Sequence, residues 1–489
     1  MSTTNTSAQS PGPSTDRSFF GQPKMLLNLF SVELWERFSF YGMQGILAYY
    51  MYFSVTKGGL GIDQGVALGI VGAYGGGVYL STILGAWVAD RLLGAERVLF
   101  YSAALIMLGH ISLAVLPGAV GLTVGLLMVG IGSGGLKANA TSLVGSLYKP
   151  DDDRRDAGFS IFYMGINIGA LVGPLLTGWL QVNLGFHYGF GAAAVGMAVG
   201  LTQYALTRKN LPADAHHVPN PLPRSKYRMM IGIAVAAVVL IVIAVLTHLV
   251  TVSNLKWVIV GIVVLATIAY FVVILSSPKV DKVERSRVLS FIPLFIASAA
   301  FWSLFQQQFT VLAVYSDVRL NRVIFGWEMP PSWTQSINPV FIIIFAGIFA
   351  ALWTRLGSRQ PRTPTKFAIA LVVMGLAYLS FLPLSGMASV PLLGLVWILF
   401  LFTIAELMLS PVGLSLATKL APRAFRTQMV ALFFLSVSLG SALSGVFAGY
   451  YDEKNGAPYF ASIGIIAIIL GVVLLLSAKP IKRLMAGVH

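Results

Sequence analysis

Fourteen apolar runs follow one another along this 489-residue chain. Each is long enough to cross a bilayer as an α-helix, which takes about 17 to 25 residues. Only 10% of the residues are charged and the mean hydropathy is +0.80, so the surface as well as the core faces hydrocarbon. The sequence therefore predicts an all-α polytopic membrane protein with spans near residues 28–54, 67–89, 98–116, 119–141, 158–181, 186–206, 229–252, 255–277, 288–315, 335–354, 367–385, 390–415, 427–450 and 458–478.

The formal net charge of +15 is explained by where the basic residues lie. With the N-terminus inside, 26 of the 33 Lys and Arg residues fall in the inner tail and loops, five in outer loops and two within spans. This bias is the positive-inside rule, so it predicts cytoplasmic termini and no nucleic-acid partner. We expect a multi-pass protein of the cell inner (plasma) membrane. The absence of cysteine excludes disulfides and thiolate metal sites.

Two linkers rich in basic residues divide the spans into groups of six, two and six. Two six-helix halves are the arrangement of the major facilitator fold, in which substrate binds at the midplane between the halves. The two spans between the linkers form an insert. The expected organisation is a disordered cytoplasmic tail at 1–22, an N-terminal six-helix bundle at 23–206, linkers and insert at 207–287, a C-terminal six-helix bundle at 288–480 and a cytoplasmic tail at 481–489.

Five charged residues lie inside predicted spans, where each costs about 2.5 to 3.5 kcal/mol at a helix centre unless it has a partner or a water-filled cavity. They are Glu33, Glu36 and Arg37 in the first span, Lys137 in the fourth and Glu406 in the twelfth. Ion pairs that only lock helices together are the weaker explanation, because five such groups exceed what packing requires. These residues are the candidate functional site.

The first span carries a polar stripe along one face. Helical spacing places Glu33, Glu36 and Arg37 within one turn and continues the stripe through Tyr41 and Gln44. Two carboxylates beside one guanidinium are not both fully compensated unless a further cation, such as that of the fourth span, comes within reach. The pattern therefore predicts a proton switch in this helix.

Lys137 and Glu406 give the expected cavity two walls of opposite charge. Lys137 lies in the glycine-rich segment 130–140, whose small residues permit a tight helix crossing. The fourth span of the first half corresponds to the twelfth span overall, so Lys137 and Glu406 are counterparts. Arg37 and Lys137 make one wall cationic, and Glu406 makes the other anionic. Such a cavity suits a zwitterion with well-separated termini, such as a short peptide.

Five segments resemble the signatures of one transporter family. Residues 33–42 (ELWERFSFYG) resemble the signature ExxERFxYYG, and residues 159–171 (FSIFYMGINIGAL) resemble FYxxINxGSL. Residues 85–97 resemble the general facilitator loop motif, and residues 333–339 and 405–422 also match. Over almost its whole length, the chain resembles bacterial members of the proton-dependent oligopeptide transporter family of the major facilitator superfamily.

The resemblance implies a substrate role for each matching residue. Arg37 and Lys137 would receive the peptide carboxylate, and Glu406 and Asn338 the peptide amine. For the neutral positions, ordinary packing and hydrogen bonding between helices is the alternative. The residues implied for the peptide backbone and the pocket wall are Tyr41, Tyr79, Asn167, Trp302, Gln306, Ser410 and Phe433.

Proton coupling and gating are implied in the same way. The family's proton-coupling network corresponds to Glu33, Glu36, Arg37 and Lys137. The positions expected at gates are Gln44, Asp90 and Arg91.

The chain departs from the family pattern at a pair of positions. Many relatives have an arginine where this chain has Gln44, and an acidic residue where it has Gln306. Losing one charge alone would leave the other buried and uncompensated, whereas losing both leaves two amides able to bond each other. We therefore expect proton coupling here to rely on Glu33 and Glu36. Phe433 replaces a tryptophan of many relatives and removes an indole donor.

The bipolar cavity and the resemblance together predict a proton-coupled symporter that imports di- and tripeptides by alternating access. We expect a monomer in the lipid bilayer, driven by the proton gradient without cofactor or metal. An enzyme is disfavoured, because no nucleophile with a base and no metal cluster is evident near an interface. Two alternatives stay open: another major facilitator carrier, for a drug or another zwitterion, and an uncoupled peptide facilitator.

Overall fold

The computed structural model describes residues 18–149, 152 and 154–487. This part of the chain is mostly helical, because a helix satisfies its backbone polar groups internally, as hydrocarbon requires. The helices are α1 (Lys24–Tyr52), α2 (Gln64–Val88), α3 (Ala95–Val115), α4 (Gly118–Ser146), α5 (Arg155–Leu184), α6 (Phe186–Thr207), α7 (Tyr227–Leu246), α8 (Leu255–Ser276), α9 (Lys282–Phe305), α10 (Val311–Val318), α11 (Ile337–Leu356), α12 (Thr363–Leu379), α13 (Leu382–Ser385), α14 (Leu392–Leu420), α15 (Arg426–Ala448), α16 (Ala457–Leu476) and α17 (Ala478–Leu484).

Thirteen helical segments of the described chain are long and apolar enough to cross a membrane. They correspond to every predicted span except the first. The remaining helix, α1, is 29 residues long, but it carries Glu33, Glu36 and Arg37 and is less apolar for that reason. The total of fourteen membrane-spanning helices therefore stays a prediction.

Two bundles of long helices surround a central cavity. In the N-terminal bundle (α1–α6), α1 packs against α5 and α6, and α3 packs against α4 and α6. In the C-terminal bundle (α9–α16), α12 packs against α14 and α16, and α9 packs against α15. A turn of 3-10 helix at Gln306–Phe309 separates α9 from α10, so these two helices together serve as one predicted span.

The bundles approach each other closely where α2 crosses α15. A Cβ atom added at Gly72 would lie 2.4 Å from the Gly445 nitrogen, so no side chain fits between the two backbones. At the same crossing, the Ser438 hydroxyl donates a hydrogen bond of 2.7 Å to the Gly76 carbonyl. Small residues permit this approach in a membrane, where close packing drives helix association.

Two further side-chain hydrogen bonds between the bundles lie on the side away from the basic loops. The Tyr49 hydroxyl donates to the Ala313 carbonyl at 3.0 Å, and the Trp333 indole donates to the Leu175 carbonyl at 2.8 Å. Tyr49 and Leu175 lie toward the C-terminal ends of α1 and α5. The bundles are therefore joined on the side that the positive-inside rule makes the outer one.

The two-helix insert comprises α7 and α8. No residue of α7 is buried, whereas α8 packs against both α2 and α15. The linker before α7 runs alongside the inner end of α2 and is hydrogen-bonded to it. The Asn220 amide donates to the Asp90 carbonyl at 3.0 Å, and the Leu222 amide donates to the Arg91 carbonyl at 2.9 Å. The insert is thus fastened to the N-terminal bundle through its first linker.

A short β-hairpin follows α10 on the outer side. Strand β1 (Val323–Ile324) pairs antiparallel with β2 (Trp327–Glu328), and the turn residues Phe325 and Gly326 have φ angles of 49° and 83°. Positive φ at both positions is the pattern of a type I′ turn, and glycine adopts it without strain. Arg322, just before β1, is thereby held beside Glu328.

Both ends of the described chain pack onto the bundles. Residues 1–17 of the predicted disordered tail and residues 488–489 of the predicted C-terminal tail lie outside the described residues. Residues 18–22, which composition assigned to the disordered tail, form a turn closed by two backbone hydrogen bonds between Phe19 and Gln22. Tyr148 donates a hydrogen bond of 3.0 Å to the Gln22 side chain and so attaches the turn to the N-terminal bundle. At the other end, α17 packs against α9.

Candidate functional site

A cavity of about 360 Å³ lies between the two bundles, a size in the range of small-molecule sites. Glu36, Asp90 and Arg91, which the sequence proposed, do not line it. All the other proposed residues do, and they are Glu33, Arg37, Tyr41, Gln44, Tyr79, Lys137, Asn167, Trp302, Gln306, Asn338, Glu406, Ser410 and Phe433.

Glu33, Glu36 and Arg37 form one ion-pair cluster on α1. The Arg37 Nε atom lies 3.0 Å from Glu33 Oε1 and 2.5 Å from Glu36 Oε2, and all three side chains are at most 4% exposed. Ser133 of α4 donates a hydrogen bond of 3.0 Å to Glu36 Oε1. Glu36 is therefore held behind the cavity by two partners. Glu33 lines the cavity, and its Oε2 atom has no hydrogen-bond partner among the described residues.

Lys137 is held on α4 beside two aromatic rings. Its Nζ atom lies 4.2 Å from the centre of the Tyr79 ring and 5.4 Å from that of Phe40. In the described part of the chain no carboxylate pairs with it, so the α1 carboxylates are not compensated by Lys137 at contact distance. The predicted tight crossing is present, since a Cβ added at Gly85 of α2 would lie 2.5 Å from the Gly135 Cα atom of α4. This cation is available to an anionic ligand group.

Glu406 of α14 supplies negative charge to the C-terminal bundle's wall. Asn338 of α11 donates a hydrogen bond of 3.2 Å to Glu406 Oε2 and another of 3.0 Å to the Thr403 hydroxyl. Thr403 is fully buried, so it anchors the amide that orients the carboxylate. Among the residues described, no base forms an ion pair with Glu406. The anionic wall is therefore available to a positively charged ligand group.

Neutral side chains complete the wall. The Asn167 amide donates a hydrogen bond of 2.9 Å to the Tyr163 carbonyl one turn earlier on α5. The Tyr41 ring stacks on that of Phe309 with centres 6.1 Å apart, and so links α1 to the turn after α9. The Trp302 indole nitrogen is buried and has no hydrogen-bond partner in the described chain.

Gln44 and Gln306 both line the cavity but do not bind each other. Gln44 is 4% exposed, and its Oε1 atom has no hydrogen-bond partner among the described residues. The two amides that replace the family's charged pair are able to bond each other, but in this arrangement of the bundles they do not. Gln306 begins the 3-10 turn after α9 and faces Tyr79 of α2 instead. Gln44 and Gln306 therefore form no hydrogen bond with each other that would join the two bundles.

Asp90 and Arg91 lie at the inner end of α2, away from the cavity. The helix finishes there in a π-helical turn at Ala89–Leu93, and the backbone carbonyls of both residues accept hydrogen bonds from the first linker. The Arg91 guanidinium donates a further hydrogen bond of 3.2 Å to the Asn220 carbonyl. The contacts observed for these residues are thus with the linker, and a gating role stays a prediction.

Tyr163, Gln335 and Thr141 line the cavity although the sequence did not single them out. Tyr163 precedes Asn167 by one turn of α5, so helical spacing from a predicted residue was the available signal. Gln335 belongs to a 3-10 turn, Pro331–Ser336, before α11. The sequence pattern of such a short turn does not indicate which of its side chains meets a cavity.

A second buried charge cluster lies at the inner ends of α3 and α6. Glu96 is fully buried, with Arg208 Nε 2.6 Å from Oε1 and His216 Nδ1 3.3 Å from Oε2. The Arg208 guanidinium also lies over the Phe100 ring, 4.0 Å from its centre. The cluster fastens the first linker to the N-terminal bundle. Within the described residues, no group of three or more His, Asp or Glu side chains has the arrangement of a metal site.

Known proteins similar to the chain are transporters. The profile of the POT family matches residues 96–466. A di-/tripeptide transporter of Lactococcus lactis subsp. cremoris is 41% identical over 97% of this chain and 99% of its own length. An uncharacterized transporter of Bacillus subtilis (strain 168), YclF, is 44% identical over 96% of this chain and 97% of its own. The crystal structure of a peptide transporter POT in complex with sulfate matches with a TM-score of 0.92 and 47% identity, over 96% of this chain and 97% of that one.

These matches extend over both bundles and the insert. They confirm the family resemblance found in the five sequence segments and the major facilitator arrangement predicted from the two six-helix halves. The protein is a multi-pass protein of the cell inner membrane, as the apolar spans and the basic inner loops predicted. The chain belongs to the POT family of transporters.

Proposed function

We propose that the protein is a proton-coupled symporter that imports di- and tripeptides across the cell membrane by alternating access. The observation that carries the proposal is one cavity with cationic groups on α1 and α4 and an anionic group on α14. A short peptide carries a carboxylate and an ammonium group several bonds apart, so its charges complement the two walls. Relatives named as di-/tripeptide and peptide transporters support this substrate class.

The peptide carboxylate binds mainly to Lys137. Arg37 already pairs with both α1 carboxylates, whereas Lys137 has only aromatic neighbours, and a cation–π contact is weaker than a buried ion pair. The peptide ammonium binds Glu406, one of whose oxygens is oriented by Asn338. The peptide is thus aligned across the cavity from one bundle to the other.

The remaining wall serves the peptide backbone and side chains. The Trp302 indole donates to a peptide carbonyl, since it lacks another partner in the described chain. The Asn167 side chain also lines the cavity and contacts the peptide backbone. Aromatic rings and small polar groups surround the side chains. The residues in this role are Tyr41, Tyr79, Gln306, Ser410 and Phe433.

Proton coupling follows from the charge balance of the cavity and the cluster behind it. Two bases and three acids sum to −1 (2 − 3), and a zwitterionic peptide adds no net charge. One proton on the α1 carboxylates makes the loaded site neutral, which lowers the cost of enclosing it in a low-dielectric interior. Each imported neutral peptide would therefore carry at least one proton and one positive charge inward. The five charged residues are Glu33, Glu36, Arg37, Lys137 and Glu406.

The cycle alternates the open side of the cavity. In the outward-open state the α1 carboxylates take up a proton and the peptide bridges the two walls. The bundles then rock to the arrangement seen here, in which hydrogen bonds join them on the outer side. Release of the proton to the cytoplasm returns the α1 cluster to a net negative charge, which favours release of the peptide carboxylate. The protein works as a monomer and without a cofactor.

One observation favours an alternative, the uncoupled peptide facilitator. Gln44 and Gln306 are neutral and unconnected, so no ion pair at these positions makes bundle movement depend on a proton. The α1 cluster supports coupling instead, because Glu33 lies on the cavity wall. A carrier for a drug or another zwitterion shares the fold, but the separated charges suit a peptide better.

Uptake of labelled dialanine into proteoliposomes tests the proposal. An inward proton gradient with an inside-negative potential is imposed, with and without a protonophore. Symport predicts accumulation above equilibrium that the protonophore abolishes, together with depolarisation of the membrane. Di- and tripeptides should compete, and free alanine should not. Lys454→Gln, at an exposed outer loop, is the matched control for substitutions of Lys137.

Two other results of the dialanine uptake experiment would contradict the proposal. Equilibration without accumulation would establish the uncoupled facilitator. Absence of uptake, with protein that keeps its thermal melting transition, would refute the substrate class.

A further inference from the structure

The seam between the two bundles is crossed mostly by side chains that donate to backbone carbonyls. In the described chain, such acceptors are the carbonyls of Gly76, Leu171, Leu175 and Ala313. One hydrogen bond across the seam ends on a charged group instead. The Tyr52 hydroxyl, at the last residue of α1, donates a hydrogen bond of 3.0 Å to Asp317 Oδ2 on α10.

Asp317 is positioned by the outer β-hairpin. Arg322 Nη2 lies 3.8 Å from Asp317 Oδ1 and 2.9 Å from Glu328 Oε1. The same guanidinium donates a hydrogen bond of 2.7 Å to the Met329 carbonyl, which holds it against β2. Lys57, beyond the outer end of α1, adds a second positive charge within electrostatic range of Asp317. The carboxylate is thus fixed from its own bundle and presented to Tyr52 of the other.

We propose that Tyr52 and Asp317 form the outer latch of this transporter, a contact that keeps the bundles together on the outer side while the cavity is open inward. The inference rests on the proposed alternating-access function. Gln44 and Gln306 form no ion pair and no hydrogen bond with each other across the seam. Tyr52 lies eight residues farther along α1 than Gln44, about 12 Å outward at 1.5 Å per residue. The latch therefore joins the two bundles at the outer edge of the seam, where they separate farthest when the cavity opens outward.

The chemistry of the contact suits a reversible closure. A hydrogen bond to a carboxylate is stronger than one between neutral groups. The Asp317 side chain is 21% exposed, so water can replace the Tyr52 hydroxyl when the bundles separate. The Tyr52 ring also packs against Tyr49 and Phe53 of its own helix end. Tyr52→Phe keeps these ring contacts and removes only the donor.

Accessibility of single cysteines tests the latch directly, because the chain has no cysteine of its own. Ser441→Cys places a thiol on α15 that faces α2 across the seam, at a position 1% exposed. Thr141→Cys places a thiol on the cavity wall at an exposed position of α4. Labelling rates with a membrane-impermeant maleimide are measured on sealed vesicles of both orientations.

Removal of the latch should shift the protein toward the outward-open state. In Tyr52→Phe and in Asp317→Ala, the α15 reporter should label from the outside about threefold faster or more, and the α4 reporter more slowly from the inside. The two substitutions together should label no faster than the faster single one, since both remove the same contact. Tyr188→Phe, an exposed tyrosine of α6 with no hydrogen bond in the described chain, should leave both rates unchanged.

Two outcomes overturn the proposal. Parent-like labelling of both reporters in Tyr52→Phe and in Asp317→Ala would show that the contact does not hold the seam. Faster labelling of both reporters would show general loosening rather than a shift between two states. Labelling needs no peptide uptake, so a failed latch and a failed transport function give different results.

Discussion

The Asn338 amide lies 3.2 Å from Glu406 Oε2 and 3.0 Å from the Thr403 hydroxyl, and it donates a hydrogen bond to each. The buried threonine fixes the amide, and the amide in turn fixes one carboxylate oxygen. The other oxygen is left for a ligand. The anionic wall of the cavity is therefore oriented before substrate arrives, which reduces the entropy that binding has to overcome.

Glu406→Gln should weaken peptide binding, because glutamine keeps the size of the side chain and removes its charge. We expect the KM for dialanine uptake to rise about tenfold or more, since a charge-assisted contact in a buried site is worth more than about 1.4 kcal/mol. N-acetyl-dialanine lacks the ammonium group, so as a competitor it should inhibit dialanine uptake to the same extent in the parent protein and in Glu406→Gln. Glu453→Gln, in an outer loop, is the control. An unchanged KM in Glu406→Gln would remove the amine from this wall.

Lys137→Gln should produce the complementary defect. The Lys137 ammonium contacts only rings in the described chain, so its loss removes the freest positive charge of the cavity wall. We expect dialanine uptake to fall about tenfold or more. A dipeptide amide, which has no carboxylate, should compete equally well against uptake by parent and variant. If the variant lost binding of both ligands alike, the role of Lys137 would be in packing rather than in carboxylate recognition.

Glu36→Gln and Glu33→Gln should separate peptide movement from the proton gradient. Each removes one carboxylate of the pair that shares Arg37, so the site with peptide bound is neutral without an added proton. We expect accumulation against a gradient to be lost while exchange of labelled for unlabelled dialanine continues. Proteoliposomes loaded with dialanine measure the exchange. Normal gradient-driven uptake in Glu36→Gln would place the coupling proton elsewhere.

The sequence predicted the features that periodic rules determine. A helix pairs its backbone polar groups internally, as hydrocarbon requires, so the length of the apolar runs was enough to locate thirteen spans of the described chain. The cost of burying charge singled out Glu33, Arg37, Lys137 and Glu406, all of which line one cavity. Helical spacing alone put Glu33 and Glu36 on the same turn as Arg37. These are local properties or simple costs that need no knowledge of packing.

Contacts between distant segments could not be predicted in this way. The aromatic neighbours of Lys137 come from α1 and α2, and their approach depends on the glycine crossing between α2 and α4. The orientation of Gln306 is one example, because a 3-10 turn begins at this residue and directs its side chain to Tyr79. Glu96 was missed because its partners, Arg208 and His216, follow it by more than 100 residues.

Glu96→Gln should lower stability without changing substrate binding. Glutamine leaves Arg208 without the buried charge that compensates it, but Arg208 is 23% exposed and water recovers part of the loss. We expect the free energy of unfolding to fall by about 1 to 3 kcal/mol, seen as a lower melting temperature in detergent. The KM for dialanine should stay unchanged, since Glu96 lies at the inner end of α3. A higher KM at unchanged melting temperature would show that the cluster acts on the cavity.

Gln44→Arg and Gln306→Glu test whether the missing ion pair can be restored. Gln306→Glu alone adds an unpaired negative charge to the cavity wall, and Gln44→Arg alone adds a buried positive one, so each single variant should lose about tenfold or more of its uptake rate. Both amides line the same cavity, and the double variant regains the original net charge. We expect it to recover most of the activity, with an interaction energy of about 1 to 3 kcal/mol in the double-mutant cycle of uptake rates. Additive losses would show that the two side chains do not meet at any stage of transport. Recovery would mean that an ion pair at these two positions forms between the bundles and is compatible with the transport cycle of this chain.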